Sequence, residues 1–180
     1  MTPELEKMWT SCWKTPSDIS LHIPVLKEYA SQCEHVTEFG VRWIVSTWGL
    51  MAGLPKKLTS YDLHHPSVHN ANLDEVYEIA KDNNVEYNFI LEDTTKVKIE
   101  PTELLFIDTD HTYEHLKKEL SLHSPKVSKW IILHDTISFP KMTKAAYEFV
   151  ENSDKWEIER HVTDDINDGV GLMVIKRIKK

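Results

Sequence analysis

The chain predicts an α/β fold, a doubly wound Rossmann-like sheet that is mostly parallel with an antiparallel last strand and flanked by helices. Three observations carry this. Short apolar runs recur along the 180 residues, as expected of strands buried on both faces. Segments of helical spacing separate them, which is the alternation of βα units. Two of the runs end abruptly in acids and histidines. Leu104-Leu105-Phe106-Ile107 runs into Asp108-Thr109-Asp110-His111, and Ile131-Ile132-Leu133 into His134-Asp135-Thr136. In open parallel sheets the ligand sits outside the carboxyl ends of the strands, so these ends predict a site as well as a fold.

The elements follow in order. Residues 1–34 form an N-terminal helical segment, and 35–180 a single domain. Residues 1–17 read as an irregular or short helical lead-in with Trp9 and Trp13 at helical spacing. Ser17-Asp18 can cap a helix over 19–32, interrupted by Pro24. The first strand is 35–39, followed by Gly40 and a helix over 44–54 that Gly53 and Pro55 close. The second strand is 58–63, and a His-rich turn over 64–70 follows it. A helix over 72–83 carries Leu73, Val76, Tyr77 and Ala80 on one face. Strand three is 87–91 and runs into Glu92-Asp93-Thr94; strand four is 104–108. Helix 113–123, strand 130–133 and helix 143–151 come next. The stretches 156–162 and 170–176 alternate as two final strands, joined through 164–169.

Composition narrows the function classes. The net charge of −8 argues against a nucleic-acid surface, which is normally basic. The basic tail Lys176-Arg177-Ile178-Lys179-Lys180 reads as a solvated end. Cys12 and Cys33 make no disulfide framework, and the acidic N-terminus has no apolar core of a leader. No apolar run reaches the length of a membrane span. The expected location is therefore the cytoplasm, with neither nucleic acid nor membrane as partner. The six tryptophans suit a homo-oligomer interface or a core equally.

Glu38-Phe39-Gly40 sets an acid and a glycine directly after strand one, and a glycine there admits a close backbone approach. Asp62 closes strand two, in the position from which an acid accepts ribose hydroxyl protons. The dinucleotide pattern Gly-x-Gly-x-x-Gly is absent.

With Phe-Ile-Asp-x-Asp-His and Ile-x-x-His-Asp-Thr at its strand ends, the sequence resembles class I S-adenosylmethionine-dependent methyltransferases from roughly residue 18 to 177. Macrolide and catechol O-methyltransferases are more distantly similar. The resemblance implies S-adenosylmethionine as cofactor and a small-molecule acceptor. Glu38 and Gly40 would line its methionine part, and Ser46 fits the family's Gly-x-Ser ending. Asp62, with Leu63 beside it, would hold the ribose diol. Glu92, Asp93 and Thr94 would sit beside the adenine, and Asp108 at the sulfonium. One departure stands out: Arg42, Trp43 and Ile44 occupy the stretch where the family carries further glycines.

Relatives of this layout bind a divalent cation, which implies Asp108, His134 and Asp135 as metal ligands here. Mg²⁺ or Mn²⁺ is the candidate, and a histidine ligand suits Mn²⁺ or Zn²⁺ better than Mg²⁺. His111 reads as the general base, since imidazole titrates near neutrality; a capping or surface histidine is the plainer reading. Asp108 is the second catalytic candidate. Asp110 serves a helix N-terminus or the site equally well. The His64, His65, His69 tract reads as a solvated loop ahead of a metal tract. The N-terminal segment can close as a lid, bringing Trp9, Trp13 and His22 to an acceptor, or pack in the core. The reading is an S-adenosylmethionine-dependent O-methyltransferase for a small-molecule hydroxyl, with metal assistance. The alternatives are a non-catalytic cofactor-binding module and a metal-dependent hydrolase on the same fold.

Overall fold

Seven strands form one sheet in the order β3-β2-β1-β4-β5-β7-β6. The computed structural model describes residues 1–163 and 169–178. Most of the predicted joint over 164–169, and the last two lysines of the tail, lie outside the described residues. β1 is His35–Phe39, β2 Lys57–Asp62, β3 Glu86–Leu91, β4 Thr102–Ile107 and β5 Val127–His134. These five are parallel. β7 (Leu172–Arg177) runs antiparallel to both β5 and β6 (Trp156–Val162), as predicted.

β4 shows why the apolar runs are continuous. Leu104 and Phe106 enter the core on one face of the sheet, and Leu105 and Ile107 the core on the other. With a side-chain period of two and both faces covered, the run from Leu104 to Ile107 is apolar throughout. The first face is covered by α1 (Pro3–Lys14), α2 (Ile23–Ala30), α3 (Val45–Met51) and α4 (Leu73–Asp82), through Leu5, Leu26, Trp48 and Val76. The second is covered by α5 (Tyr113–His123) and α6 (Pro140–Glu151), through Leu116, Leu120 and Ala146.

Several boundaries differ from expectation for local reasons. Thr2 caps α1, accepting from the Leu5 N–H, so the lead-in is a regular helix. The expected helix over 19–32 is a 3₁₀ turn, Ser20–His22, followed by α2, and Pro24 sits in the first turn of α2, where its missing N–H costs nothing. Pro140 likewise opens α6 three residues earlier than expected. Helix α3 starts at Val45 because Ile44 is left-handed, with φ 67°. β7 starts at Leu172 because the Val170 and Gly171 carbonyls serve the N–H groups of Ile137 and Thr136 instead.

The chain leaves β1 outward through β2 and β3, then returns to β4 on the other side of β1. This reversal opens a crevice between the carboxyl ends of β1 and β4. There the Asp108 N–H donates to the Phe39 carbonyl at 2.9 Å. Gly40 has φ +85°, and a Cβ on it would meet the Asp108 carbonyl oxygen at 1.8 Å. Gly40→Ala is therefore expected to destabilise the fold by about 3 kcal/mol or more. Urea unfolding measures it, and a loss below about 1 kcal/mol would contradict this packing.

Candidate functional site

The loop from β1 to α3 keeps a glycine-like backbone without the glycines. Arg42 (φ 44°) and Ile44 (φ 67°) are both left-handed. Each such residue costs on the order of 1 kcal/mol. Asp62, from the end of β2, offsets this by accepting through Oδ2 from the N–H groups of Val41 (2.7 Å) and Arg42 (3.1 Å). Its Oδ1 accepts from the His64 N–H at 2.8 Å. Outside the loop the Arg42 guanidinium lies 3.7 Å over the Trp43 ring, whose edge meets His69.

Glu38 anchors the same loop from below. Its carboxyl is fully buried and accepts from Ser46 (2.6 Å), Thr47 (2.9 Å) and Ser60 (2.5 Å). Burial pushes it up to about 7, against the opposing pull of the three hydroxyls. Glu38 thus ties β1, β2 and α3 together beneath the crevice, and Ser46 is the member of the set that reaches a cleft wall.

Two clefts meet over Gly40 and Asp108. The first, a cavity of about 230 Å³ open to solvent, runs over β2 and the loop after β3, with Asp62, Leu63, Thr94, Thr109 and His115 in its wall. The second, about 180 Å³, reaches toward the N-terminal segment, with Asp18, Ile19, Trp43, Ser46, His111 and Asp135 in its wall. The predicted residues divide accordingly. Gly40, Asp62, Leu63, Thr94 and Asp108 line the first cleft. Asp93 is committed to its own turn, accepting from the Thr95 N–H and hydroxyl and pairing with Lys96, and these bonds hold it below the usual carboxylate range. Glu92 is exposed beside it. His64 and His69 line the first cleft, while His65 caps a turn through Ser67. Trp9 and Trp13 stack on each other at 5.7 Å, and Lys27 covers Trp9.

The acid and histidine residues do converge. The His111 Nε2 lies 2.8 Å from Asp135 Oδ2 and 3.2 Å from Asp108 Oδ1. Hydrogen bonds to Asp108 and then Asp135 raise His111 to about 9. Its ring stacks on Phe139 at 4.2 Å. Burial works to raise both carboxylates, but the imidazoles outweigh it and hold Asp108 and Asp135 below their ordinary range. His134 stands behind the pair, with Nδ1 3.5 Å from each carboxylate. Burial works to lower it, and the two acids more than reverse that. Its Nε2 faces His22 Nδ1 at 3.1 Å, so the N-terminal segment touches the cluster from inside. Among the described residues, the ligand-type atoms that gather within 4.8 Å of one another belong to Asp108, His111 and Asp135. His134 backs that group.

Sequence reasoning missed Glu119, Thr109 and Phe139. Glu119 was detectable as an acid on the apolar stripe between Leu116 and Leu120.

No family model and no curated protein matches the sequence. Solved structures do match. The O-methyltransferase from Bacillus cereus in complex with S-adenosylhomocysteine has a TM-score of 0.67 at 14% identity, over 99% of this chain and 92% of that one. The chain has the Rossmann-like methyltransferase fold. The S-adenosylhomocysteine-bound Podospora anserina methyltransferase PaMTH1 matches at TM-score 0.63 and 12% identity, over 99% and 89% of the two chains. An rRNA methylase from Streptococcus thermophilus matches at TM-score 0.61 and 15% identity, over 91% and 98%. In this fold the crevice at β1 and β4 is the place to look for chemistry.

Glu38 gives a pH signature. Its folded value lies above its ordinary 4.5, so the folded chain holds this proton more tightly than the unfolded chain. The stability it adds is complete below about 4.5 and is lost as pH rises through about 7. Glu38→Gln is expected to flatten the stability profile between about pH 5 and 8 by about 2–3 kcal/mol, read by urea unfolding. Parallel profiles for the two proteins would contradict the assignment.

Proposed function

We propose that this chain is an S-adenosylmethionine-dependent methyltransferase acting on the hydroxyl of a small molecule. The observation that carries the reading is the meeting of the two clefts over Gly40 and Asp108, one lined by Asp62 and Thr94, the other by His111 and Asp135. The residues fit the cofactor: acceptors for a ribose in the first cleft, and carboxylates at the junction that complement a cation. When bound, S-adenosylmethionine supplies an electrophilic methyl group on a sulfonium.

Asp62 and Leu63 hold the ribose side, with Asp62 keeping acceptor capacity beyond its three backbone bonds. Thr94 closes the adenine end, with Glu92 and Asp93 at its rim. Glu38 and Ser46 fix the loop beneath the methionine side through their mutual hydrogen bond. Gly40 and Asp108 sit at the junction. In the second cleft His111 or Asp108 takes the acceptor's hydroxyl proton. Asp108 is ionised at neutral pH, whereas His111 at about 9 must first shed its own proton. Phe139, flat on His111, keeps that imidazole facing the carboxylates.

A divalent cation also fits, held by Asp108 and Asp135 with His111 or His134. Two carboxylates and an imidazole favour Mn²⁺ or Zn²⁺ over Mg²⁺. A bound cation supplies charge that ionises a hydroxyl, and it requires its histidine ligand neutral. The left-handed Arg42 and Ile44 preserve the loop's backbone path, which weighs against a non-catalytic module. The net charge of −8 weighs against a nucleic-acid acceptor. Chemistry in the cytoplasm on a free metabolite, by a monomer or a homo-oligomer, completes the proposal.

The test is methyl transfer from labelled S-adenosylmethionine to a panel of small hydroxyl compounds, with and without Mn²⁺. His111→Ala is expected to keep S-adenosylhomocysteine affinity within about twofold and to lose about 100-fold or more in turnover. Full turnover in that variant would remove His111 from the chemistry, and no transfer to any hydroxyl acceptor would remove the O-methyltransferase reading.

A further inference from the structure

We propose that Glu119 sets the hydrogen-bonding polarity of the first cleft, making it selective for a nucleoside with an exocyclic amine over one with an oxo group. The inference rests on the nucleoside reading of that cleft given above.

Glu119 is fully buried on α5, between Leu116 and Leu120. A buried carboxylate is tolerated when donors satisfy it. Three donors converge on this one. The Thr94 hydroxyl donates to Oε1 at 2.6 Å. The Thr109 hydroxyl lies 3.0 Å from Oε1 and 2.9 Å from Oε2. His115 Nε2 lies 3.1 Å from Oε1. These partners come from the loop after β3, the loop after β4 and the start of α5. All three line the first cleft.

The consequence follows from counting protons. A hydroxyl has one proton and two lone pairs. With their protons spent on Glu119, Thr94 and Thr109 turn only lone pairs toward the cleft. Neither can rotate to donate without leaving the acid underserved, which is costly in a buried site. Thr94 is also pinned by its backbone, because His123 Nε2 lies 2.7 Å from the Thr94 carbonyl oxygen. Burial lowers His123, which leaves it neutral with that nitrogen carrying the proton. The threonine stretch of the wall beyond Asp62 and Leu63 is therefore an acceptor surface, with His115 beside it already spending its Nε2 proton on Glu119. A ligand edge placed against the threonines has to donate. The 6-amino group of adenine offers N–H bonds there, while a 6-oxo group sets lone pairs against lone pairs.

Calorimetric titration with S-adenosylhomocysteine and with its 6-oxo analogue, S-inosylhomocysteine, tests this. The native protein is expected to prefer the amino compound by about 100-fold or more. Glu119→Gln places an amide donor against one threonine, turning that hydroxyl's proton into the cleft. The preference is then expected to fall below about tenfold, because the oxo analogue binds better. A purely structural role for Glu119 would weaken both compounds alike and leave the ratio unmoved. Thr94→Val, which removes one acceptor and keeps the shape, is expected to lower the ratio in the same direction and decides the matter if Glu119→Gln does not fold. Equal affinity of the native protein for both compounds overturns the inference. So does a ratio that survives Glu119→Gln in a folded protein. If the native protein binds neither compound, the nucleoside reading itself falls, and this inference with it.

Discussion

The carbonyl oxygen of Asp108 occupies the space that a side chain at position 40 would need. That contact fixes the distance between the ends of β1 and β4, and almost everything at the site is placed by it. It holds Asp108 at the junction of the two clefts. Gly40 itself turns left-handed there, with φ +85°, and the following loop bonds to Asp62 at the end of β2. There Asp62 takes the loop's N–H groups, and Arg42 and Ile44 hold a path that glycine adopts at lower cost. The strain of that loop is balanced by hydrogen bonds from a neighbouring strand, so loop and strand end form one unit.

The second organising feature is charge pairing in a partly dry space. Asp108, His111, His134 and Asp135 balance one another: the imidazoles hold the two carboxyls ionised, and the carboxylates hold the two imidazoles protonated. For the proposed reaction this arrangement would offer carboxylates to a cation and an imidazole to the acceptor's hydroxyl. Through His22 it is also joined to the N-terminal segment, whose Asp18 and Ile19 line the second cleft.

Much of this was legible in the sequence because its causes are local. β1 runs over 35–39 and α5 over 113–123 as expected, since alternation at both faces and the Thr112 cap are written in adjacent residues. The strand ends loaded with acids and histidines pointed to the cluster that the structure brings together. What could not be read depends on residues far apart. The missing glycines are visible, but the left-handed Arg42 is held by Asp62, 20 positions away. The place of His134 behind the carboxylates rests on His22, 112 positions away. Glu119 is visible as an acid between Leu116 and Leu120, but its donors Thr94 and Thr109 belong to other loops and cannot be read from the helix. Asp93 shows the opposite case: its residue type suits a ligand, yet Thr95 and Lys96 beside it claim its oxygens.

If the crevice over Gly40 and Asp108 receives an S-adenosyl compound, calorimetric titration of the native protein with S-adenosylhomocysteine, first in EDTA and then with Mn²⁺, gives saturable binding with one site per chain and a dissociation constant in the micromolar range, about −8 kcal/mol. Absence of binding in both conditions would contradict this reading, because the loop held by Asp62 would then close the pocket it is argued to build.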